Sequence, residues 1–432
     1  MRKVFSIFFL SLVALLIGTI AVSVPATSQR FGGGSQVESG DNGPLDALTY
    51  RYIGPVGNRV SAVTGVPGDA NVYYIGAASG GIFRSRDGGT NWEPIFDDQP
   101  VAAIGSLAVD PVNTNVIWAG TGETFIRSNI LTGNGIYKSV DGGDTWQHLG
   151  LERTGRIGRI VVDPLNPGTV FAAAMGHAYG PQQERGVYRT QDGGKTWEQV
   201  LFVDNNTGAA DVVMDPNNPN ILFAGMWPLL IRTWGRTSGG PGGSLWMSTD
   251  GGDTWGNLTG TRGLPAGPYG KIGLGMTPAD SDRVYALIEL SSNGLIAPVD
   301  PGHGTLYRSD NGGDSWRMVS ANHDLMQRPL YYTRLAVAPD DPDELHTMST
   351  RHSRSIDGGS TWSTSPATWE ANQFHPDAHK FPACRPDDNL IRGEAHVLEL
   401  ASGKLLMTLR YQWLHGLPGG EPWAPLSKQV MF

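Results

Sequence analysis

The stretch Ser139–Trp146, with the sequence Ser-Val-Asp-Gly-Gly-Asp-Thr-Trp, decides the fold because the chain contains six copies of its pattern. The pattern is Ser/Thr-x-Asp-x-Gly-x-Thr/Ser-Trp, where x is any residue, and we call it the turn motif. Successive copies lie 46 to 61 residues apart, a spacing typical of a repeated small sheet. In the fifth copy Asn311 replaces the aspartate. The other copies are Ser85–Trp92, Thr190–Trp197, Ser248–Trp255, Ser309–Trp316 and Ser355–Trp362.

Each turn motif lies among segments that have the pattern of strands. Gly135–Lys138 precedes the second copy, and its alternation indicates a strand with one buried face. Apolar segments such as Ile160–Val162 and Val170–Ala173 flank a turn rich in Pro and Asn. Each repeat therefore predicts four strands, A to D, with the turn motif on the C–D hairpin. Because such sheets close radially, we predict an all-β fold, a β-propeller of four-stranded blades.

The number of blades is predicted to be seven. Six blades come from the six repeats. A partial last blade comes from the strand-like segments Ala395–Leu400 and Lys404–Arg410, with Leu48–Tyr52 supplying a strand from the other terminus.

The residue types of the turn motif have a structural explanation. Asp and Ser/Thr side chains can accept hydrogen bonds from the backbone of the turn, and the glycines allow positive φ. The Trp can wedge between neighbouring sheets and bury a large apolar area. We therefore assign a structural role to Asp87, Trp92, Asp141, Trp146, Asp192, Trp197, Asp250, Trp255, Asn311, Trp316, Asp357 and Trp362.

Composition and charge exclude several classes of protein. The chain has 432 residues, of which 59 are Gly and 29 Pro, which favours many short strands and tight turns over long helices. The net charge is -9 and there is no Lys/Arg run, so we expect no nucleic-acid partner. Cys384 is the only cysteine, so no intrachain disulfide is possible. We expect no cofactor.

The N-terminal segment predicts export. Residues 1–28 contain Arg2 and Lys3 and then an apolar run, which indicates a signal peptide, with an uncleaved N-terminal anchor as the alternative. Residues 29–46 are expected to be a flexible linker. Residues 47–365 form blades 1–6, and residues 366–432 form the partial last blade or the start of a truncated sialidase-like segment. The protein is therefore predicted to be secreted or periplasmic, with no membrane span beyond the N-terminal segment.

The long loops point to one face of the propeller. The A–B and C–D turns are short, whereas the B–C loops are long, and long loops on a rigid scaffold usually carry binding residues. Aromatic and Arg side chains suit a sugar or peptide ligand, although such aromatics can also simply pack loops together. The predicted ligand-binding residues are Glu123, Arg127, Arg153, His177, Trp227, Trp234, Arg328, Tyr331 and Tyr332. Weak catalytic candidates are the carboxylates Asp98, Glu123 and Glu184, with Asp97 beside them.

One cluster of three residues has a spacing that could suit a metal site. His375, Asp377 and His379 would share one face of a strand and could ligate a divalent metal. Pro376 argues against a regular strand, and no fourth ligand is obvious in the sequence. We therefore predict no metal and keep this trio as the weaker alternative.

Several segments together resemble a known group of proteins. Ala119–Trp146, Leu149–Gly158, Arg185–Thr190 and Arg328–Tyr332 resemble bacterial exported Asp-box (BNR) repeat proteins with a sortilin N-terminal-type propeller domain, often labelled glycosyl hydrolase-like. The similarity covers about residues 50–380, and members of this group are usually much longer. The tail Gly393–Arg410 resembles a sialidase-type blade, in which Glu394 and Arg410 would belong to a carboxylate-binding pocket.

The resemblance implies two functions of different classes. Sortilin-type propellers bind peptides and proteins, so the first expectation is an exported propeller that binds a protein, peptide or glycan on the long-loop face. The alternative is an extracellular glycoside hydrolase of xyloglucanase-like or sialidase-like type that acts through paired carboxylates. Xyloglucanases of similar build use two Asp, neither of which can be matched here, and no Phe/Tyr-Arg-Ile-Pro segment of sialidases occurs. Partners are therefore expected to be an extracellular protein, peptide or polysaccharide.

Overall fold

Strands make up almost all of the regular structure. The computed structural model describes residues 59–127, 129–290, 305–349 and 351–364, and the backbone of three later strands. The first three blades are four-stranded antiparallel sheets whose strands follow chain order. They consist of β1 (Val60–Val66), β2 (Asp69–Ala77), β3 (Ile82–Ser85) and β4 (Glu93–Pro94); β5 (Ile104–Val109), β6 (Ile117–Thr121), β7 (Ile136–Ser139) and β8 (Gln147–His148); and β9 (Ile157–Val162), β10 (Val170–Ala174), β11 (Gly186–Thr190) and β12 (Glu198–Leu201).

The next three blades keep the same order, and the fourth gains one strand. They consist of β13 (Thr207–Met214), β14 (Leu222–Arg232), β15 (Gly235–Ser238), β16 (Ser244–Ser248) and β17 (Gly256–Asn257); β18 (Tyr269–Thr277), β19 (Asp280–Leu290), β20 (Leu306–Asp310) and β21 (Arg317–Ser320); and β22 (Leu335–Val337), β23 (Leu345–Met348), β24 (His352–Ser355) and β25 (Ser363–Thr364). Short 3-10 helices at Glu152–Thr154 and His323–Met326 lie in the loops that lead into blades 3 and 6.

The prediction of seven four-stranded blades is wrong. The structure has six such blades, from Val60 to Thr364. The remaining sheet has only three strands: β26 (Arg392–Glu399), β27 (Leu405–Leu414) and β28 (Pro425–Met431). Its first strand, β26, lies beside β1 and β22. The segment Leu48–Tyr52, which was expected to add a strand, lies outside the described residues.

The third copy of the turn motif shows how the hairpin is built. The Thr190 hydroxyl donates to Asp192 Oδ1 (2.8 Å) and accepts from the Gly194 amide (2.9 Å). Asp192 accepts from the amide and the hydroxyl of Thr196 (2.9 and 2.7 Å). Gly194 has φ +98°, and a Cβ there would lie 2.6 Å from Leu149 Cδ1, so both conformation and space require glycine.

The Asn in the fifth copy preserves this arrangement without the charge. Asn311 Oδ1 accepts from the Ser315 amide (2.8 Å), and Asn311 Nδ2 donates to the Ser315 hydroxyl (2.9 Å). The turn therefore requires the hydrogen-bond geometry of the side chain more than its ionisation.

The tryptophans of the motif join neighbouring blades. Trp197 in blade 3 donates its indole N–H to the Leu149 carbonyl (2.8 Å), and its ring lies edge-on to Trp118 of blade 2, with centroids 6.3 Å apart. Trp316 in blade 5 packs in the same way on Phe223 of blade 4, at 6.0 Å. The core therefore lies between successive sheets, where edge-to-face aromatic pairs add to apolar burial.

Several sequence predictions concern residues outside the described ranges. The predicted signal segment, residues 1–28, and the linker, residues 29–46, lie outside the described residues, as does the trio His375, Asp377 and His379. Within the described ranges no helix is long and apolar enough to cross a membrane.

Candidate functional site

The long loops meet each other across one face of the propeller. The loop that leads from blade 5 into blade 6 reaches the B–C loop of blade 2, where the Ile126 amide donates to the Leu330 carbonyl (3.3 Å). The same loop reaches blade 3, where Arg334 Nη2 donates to the Gly158 carbonyl (2.8 Å). We call the surface formed by the B–C and D–A loops the loop face.

A small apolar core lies under the loop face. It combines Ile126 and Ile130 of blade 2, Met175 of blade 3, Trp227 of blade 4 and Leu330. A neighbouring aromatic group consists of Phe125, Tyr331 and Tyr332. These side chains come from blades on different sides of the ring, so the loops stabilise one another by apolar burial.

Three of the predicted ligand-binding aromatics belong to this core. Trp227 is 1% exposed, and Tyr331 and Tyr332 are each 2% exposed. Trp227 also donates its indole N–H to the Ser238 hydroxyl (2.9 Å). In this structure the three rings are buried between loops. Their role in binding a ligand stays a prediction.

Glu123 is the centre of a buried ion-pair network. Its Oε1 accepts from Arg59 Nη2 (2.6 Å) and from Arg127 Nε (2.8 Å), and its Oε2 accepts from the Leu131 amide (3.3 Å). The carboxylate is fully buried, and Arg59 also donates to the Tyr331 hydroxyl (3.0 Å). Glu123 therefore holds the B–C loop of blade 2 to blade 1, and its oxygens do not face solvent.

The other carboxylate candidates differ in their surroundings. Glu184 forms an ion pair with Arg153, with Nε 2.9 Å from Oε1. Asp97 and Asp98 are exposed, and neither is in an ion pair within the described part of the chain. Two of the three weak catalytic candidates are thus bound to arginines, and Asp98 is the one left facing solvent.

His177 and Arg328 lie on the loop face but play different roles. The imidazole Nδ1 of His177 accepts from the Tyr179 amide (3.2 Å), and the pKa of His177 is lowered by burial and by the nearby charges of Arg185 and Arg156. Arg328 is exposed, and its guanidinium carbon lies 5.2 Å from the ring centroid of Tyr331. Arg328 therefore offers a solvent-facing cation above the aromatic core.

Blade 4 carries a protruding hairpin that sequence analysis interpreted as an irregular loop. The B–C segment extends β14 and returns as β15, with Arg232 paired to Gly235 at the tip. The tip exposes Arg232, Trp234 and Arg236, and Trp234 is 83% exposed. The short apolar run Leu229–Ile231 was the available signal for this strand. Trp234 is the predicted ligand-binding residue that the structure leaves most open.

A buried lysine was not anticipated. Lys271 on β18 donates its ammonium to the carbonyls of Tyr332 (2.7 Å) and Tyr331 (3.4 Å), and its amide donates to Glu289 Oε2 (2.7 Å). Burial, and then the charge of Arg334, lower the pKa of Lys271 to about 7. The signal in the sequence was a single Lys within an apolar strand. The residue anchors the loop before blade 6 from below.

A family model and several solved structures resemble this chain. A family model described as sortilin, neurotensin receptor 3 (Sortilin-Vps10), matches residues 134–262. This confirms the predicted resemblance to a sortilin-type domain over that part of the chain. Among solved structures, a GH74 xyloglucanase from Xanthomonas campestris superposes with a TM-score of 0.52 at 19% identity, covering 83% of this chain and 53% of that one. YCF48 bound to D1 peptide superposes with a TM-score of 0.50 at 16% identity, covering 84% of this chain and 98% of that one. These likenesses show the fold.

Sequence relatives of the chain are named as xyloglucanases. A xyloglucanase from a Paenibacillus species is 26% identical over 369 residues, which cover 77% of this chain and 33% of the relative. A probable oligoxyloglucan-reducing end-specific xyloglucanase from Neosartorya fischeri is 23% identical over 350 residues, covering 71% of this chain and 40% of the relative. The chain thus spans well under half the length of these relatives. If the chain is an enzyme, these relatives indicate a glycoside hydrolase.

Proposed function

We propose that the protein is an exported propeller that acts on a polysaccharide as a glycoside hydrolase. The observation that carries this proposal is the similarity to xyloglucanases over 71–77% of the chain. It reverses the order of the two functions expected from the sequence, in which binding came first. Xyloglucan, the substrate in the relatives' names, is the first polysaccharide to test. A location outside the cytoplasm fits a polysaccharide substrate.

The carboxylates of the loop face limit how such a hydrolase would work. Glycoside hydrolysis needs two carboxyl groups, about 5 Å apart in retaining enzymes and about 6.5–9.5 Å apart in inverting ones. Glu123 is sealed by two arginines, so it cannot protonate a leaving group or activate water as it stands. Asp98, with Asp97 beside it, is the exposed one of the three candidate carboxylates and is our candidate for one of the two groups.

Binding without hydrolysis is the second candidate function, and one observation favours it. Both Glu123 and Glu184 are occupied by arginines, so the described loops hold only Asp98 of the three carboxylate candidates in an open state. A propeller that holds a polysaccharide through aromatic and Arg side chains needs no paired carboxylates.

Reducing-sugar release separates the two functions. The purified chain is incubated with xyloglucan and with other plant and bacterial polysaccharides, and new reducing ends are measured beside equilibrium binding. The hydrolase proposal expects release that Asp98→Asn lowers by about a hundredfold or more. Asp314→Asn, an exposed carboxylate on the C–D turn of blade 5, is the matched control and should leave release unchanged. Binding with no release from any polysaccharide would reject the hydrolase and leave the binding function.

A further inference from the structure

Arginines are concentrated in one sector of the loop face. The sector consists of residues 153–156, 175–185 and 229–238, which contact each other through hydrogen bonds such as Ile231 amide to Ala178 carbonyl (2.7 Å). It holds five arginines and one carboxylate, Glu184, in a chain whose net charge is -9. We call it the arginine sector. Its arginines are Arg153, Arg156, Arg185, Arg232 and Arg236.

Arg156 has two unpaired side-chain nitrogens, whereas Arg185, the other buried arginine of this sector, has one, its Nε. Its side chain is fully buried, and only Nη1 has an acceptor, the Gly176 carbonyl at 3.2 Å. Nε and Nη2 have no hydrogen-bond partner. Burial lowers the pKa of Arg156 to about 10, against the opposing influence of Tyr179 and Glu123. A buried guanidinium with two unpaired nitrogens is costly, so the position calls for an explanation.

Arg185, the buried neighbour of Arg156, shows what a structural arginine looks like here. Its Nη1 donates to the carbonyls of Asn206 (2.8 Å) and Leu229 (3.2 Å), and its Nη2 donates to the Gly180 carbonyl (3.0 Å). These bonds tie three loops together. Arg156 donates to only one carbonyl, so stabilisation of the loops does not account for its burial.

The two unpaired nitrogens of Arg156 define the ligand chemistry. Nε–H and one N–H of Nη2 point from the same edge of the guanidinium, and this edge pairs with both oxygens of a carboxylate in a bidentate arrangement. The ring of Tyr179 lies over the group, with the guanidinium carbon 5.8 Å from its centroid, and Tyr179 is half exposed. Because Arg156 itself is fully buried, we infer that a ligand reaches it by displacing this half-exposed ring.

Aromatic side chains beside the arginines suit a sugar ring. Trp234 and Tyr179 are the two exposed aromatics of the sector, and Trp234 lies between Arg232 and Arg236 at the hairpin tip. Exposed aromatic rings offer flat apolar faces for stacking, while the flanking arginines supply positive charge.

We propose that the arginine sector binds a carboxylate-bearing polysaccharide, with Arg156 pairing with a uronate carboxylate and Trp234 and Tyr179 packing on the sugar rings. The inference rests on the proposed action on polysaccharides and adds the charge of the ligand. An acidic peptide offers the same carboxylate, but the exposed aromatic pair and the polysaccharide-degrading relatives favour a glycan.

Polygalacturonate and its methyl ester make a matched pair of probes, because the ester removes the charge and keeps the backbone. We expect the chain to bind polygalacturonate at least about tenfold more tightly than the ester, with affinity that falls as salt rises. Arg156→Gln should lower polygalacturonate binding by about 10- to 100-fold. Arg156→Lys keeps the charge but loses the bidentate geometry of the guanidinium, so it should not restore polygalacturonate binding. Trp234→Ala should weaken binding to both probes.

Controls separate a binding role from a structural one. Arg86→Ala removes an exposed charge from the opposite, short-turn face and should leave binding unchanged. Arg156→Gln should keep or raise the melting temperature, because it removes a buried charge that has a single hydrogen-bond acceptor. Equal binding of polygalacturonate and ester, or unchanged binding by Arg156→Gln, would overturn the inference, as would tighter Arg156-dependent binding of polyglutamate. Xyloglucan hydrolysis measured in parallel reports on the proposed function independently.

Discussion

Replacing Glu123 by Gln tests whether this carboxylate holds the loops together or performs chemistry. Glu123 Oε1 accepts from Arg59 and Arg127, while Oε2 accepts from the Leu131 amide. If the Gln oxygen occupies the position of Oε1, the Gln side-chain amide nitrogen lies at the position of Oε2. Two hydrogen-bond donors, this NH2 group and the Leu131 N–H, then face each other. The substitution also removes the negative charge that faces Arg59 and Arg127. Breaking a buried pair in this way costs about 3–5 kcal/mol. We therefore expect Glu123→Gln to lower the free energy of unfolding by about that amount.

The assay is urea unfolding followed by tryptophan fluorescence. Glu184→Gln is the matched control, because it removes the same charge from a pair whose Arg153 side chain is 83% exposed. Such a surface pair contributes about 0–1 kcal/mol, so this variant should remain close to the unmodified protein. A Glu123→Gln variant that is as stable as the unmodified protein yet loses sugar release would refute the reasoning and make Glu123 a catalytic residue.

Three further outcomes follow from the geometry. Trp316→Ala should lower the free energy of unfolding by about 3–5 kcal/mol because the ring is buried between blades, whereas Trp234→Ala should change it by less than about 0.5 kcal/mol; urea midpoints give both. Lys271 has a pKa depressed to about 7 in the folded state against an ordinary value of 10.5, so the unfolded chain binds more protons between these values. The stability of the protein relative to Lys271→Met should therefore rise from about pH 7 to about pH 10. Asp141 has a pKa lowered to about 2, chiefly by the hydrogen bonds from Thr145, so its stabilising contribution is lost as pH falls from about 4 to about 2. Asp141→Asn should fold normally, as Asn311 shows for its own turn, and should lose less stability over that acid range.

Each of these outcomes has a result that contradicts it. Equal urea midpoints for Trp316→Ala and Trp234→Ala would reject the inter-blade role of the motif tryptophan. A pH-independent difference between the protein and Lys271→Met would mean that the lysine titrates as it does in the unfolded chain. An Asp141→Asn variant with unchanged acid sensitivity would show that the turn does not depress the aspartate pKa.

Local patterns in the sequence predicted the blades well, because they depend on neighbouring residues. The turn motif fixes its own hairpin: Thr190, Asp192 and Gly194 interact within five positions of the chain. The number of blades could not be predicted from local patterns in the same way. The segments after residue 364 alternate like strands but carry no turn motif, and they form a three-stranded sheet.

The loop face could not be predicted in the same way, since it depends on contacts between distant segments. Leu330 and Ile126 are about two hundred positions apart, and their contact helps to bury Tyr331 and Tyr332. The sequence identified Trp227 and Trp234 as equivalent exposed aromatics, yet one is covered by neighbouring loops and the other protrudes on a hairpin. The burial of Arg156 likewise depends on Gly122 of blade 2, where a Cβ would lie 2.9 Å from Arg156 Cγ.

Hydrogen exchange of the backbone amides, with and without polysaccharide, tests most directly whether this protein binds its ligand on the loop face. The protein is measured alone, with xyloglucan and with polygalacturonate. We predict slower exchange in residues 153–156, 175–185 and 229–238 when a polysaccharide is bound, and no change in the turn motifs on the opposite face. Protection confined to the turn motifs, or no protection at concentrations where binding is saturated, would show that the ligand does not bind on the loop face.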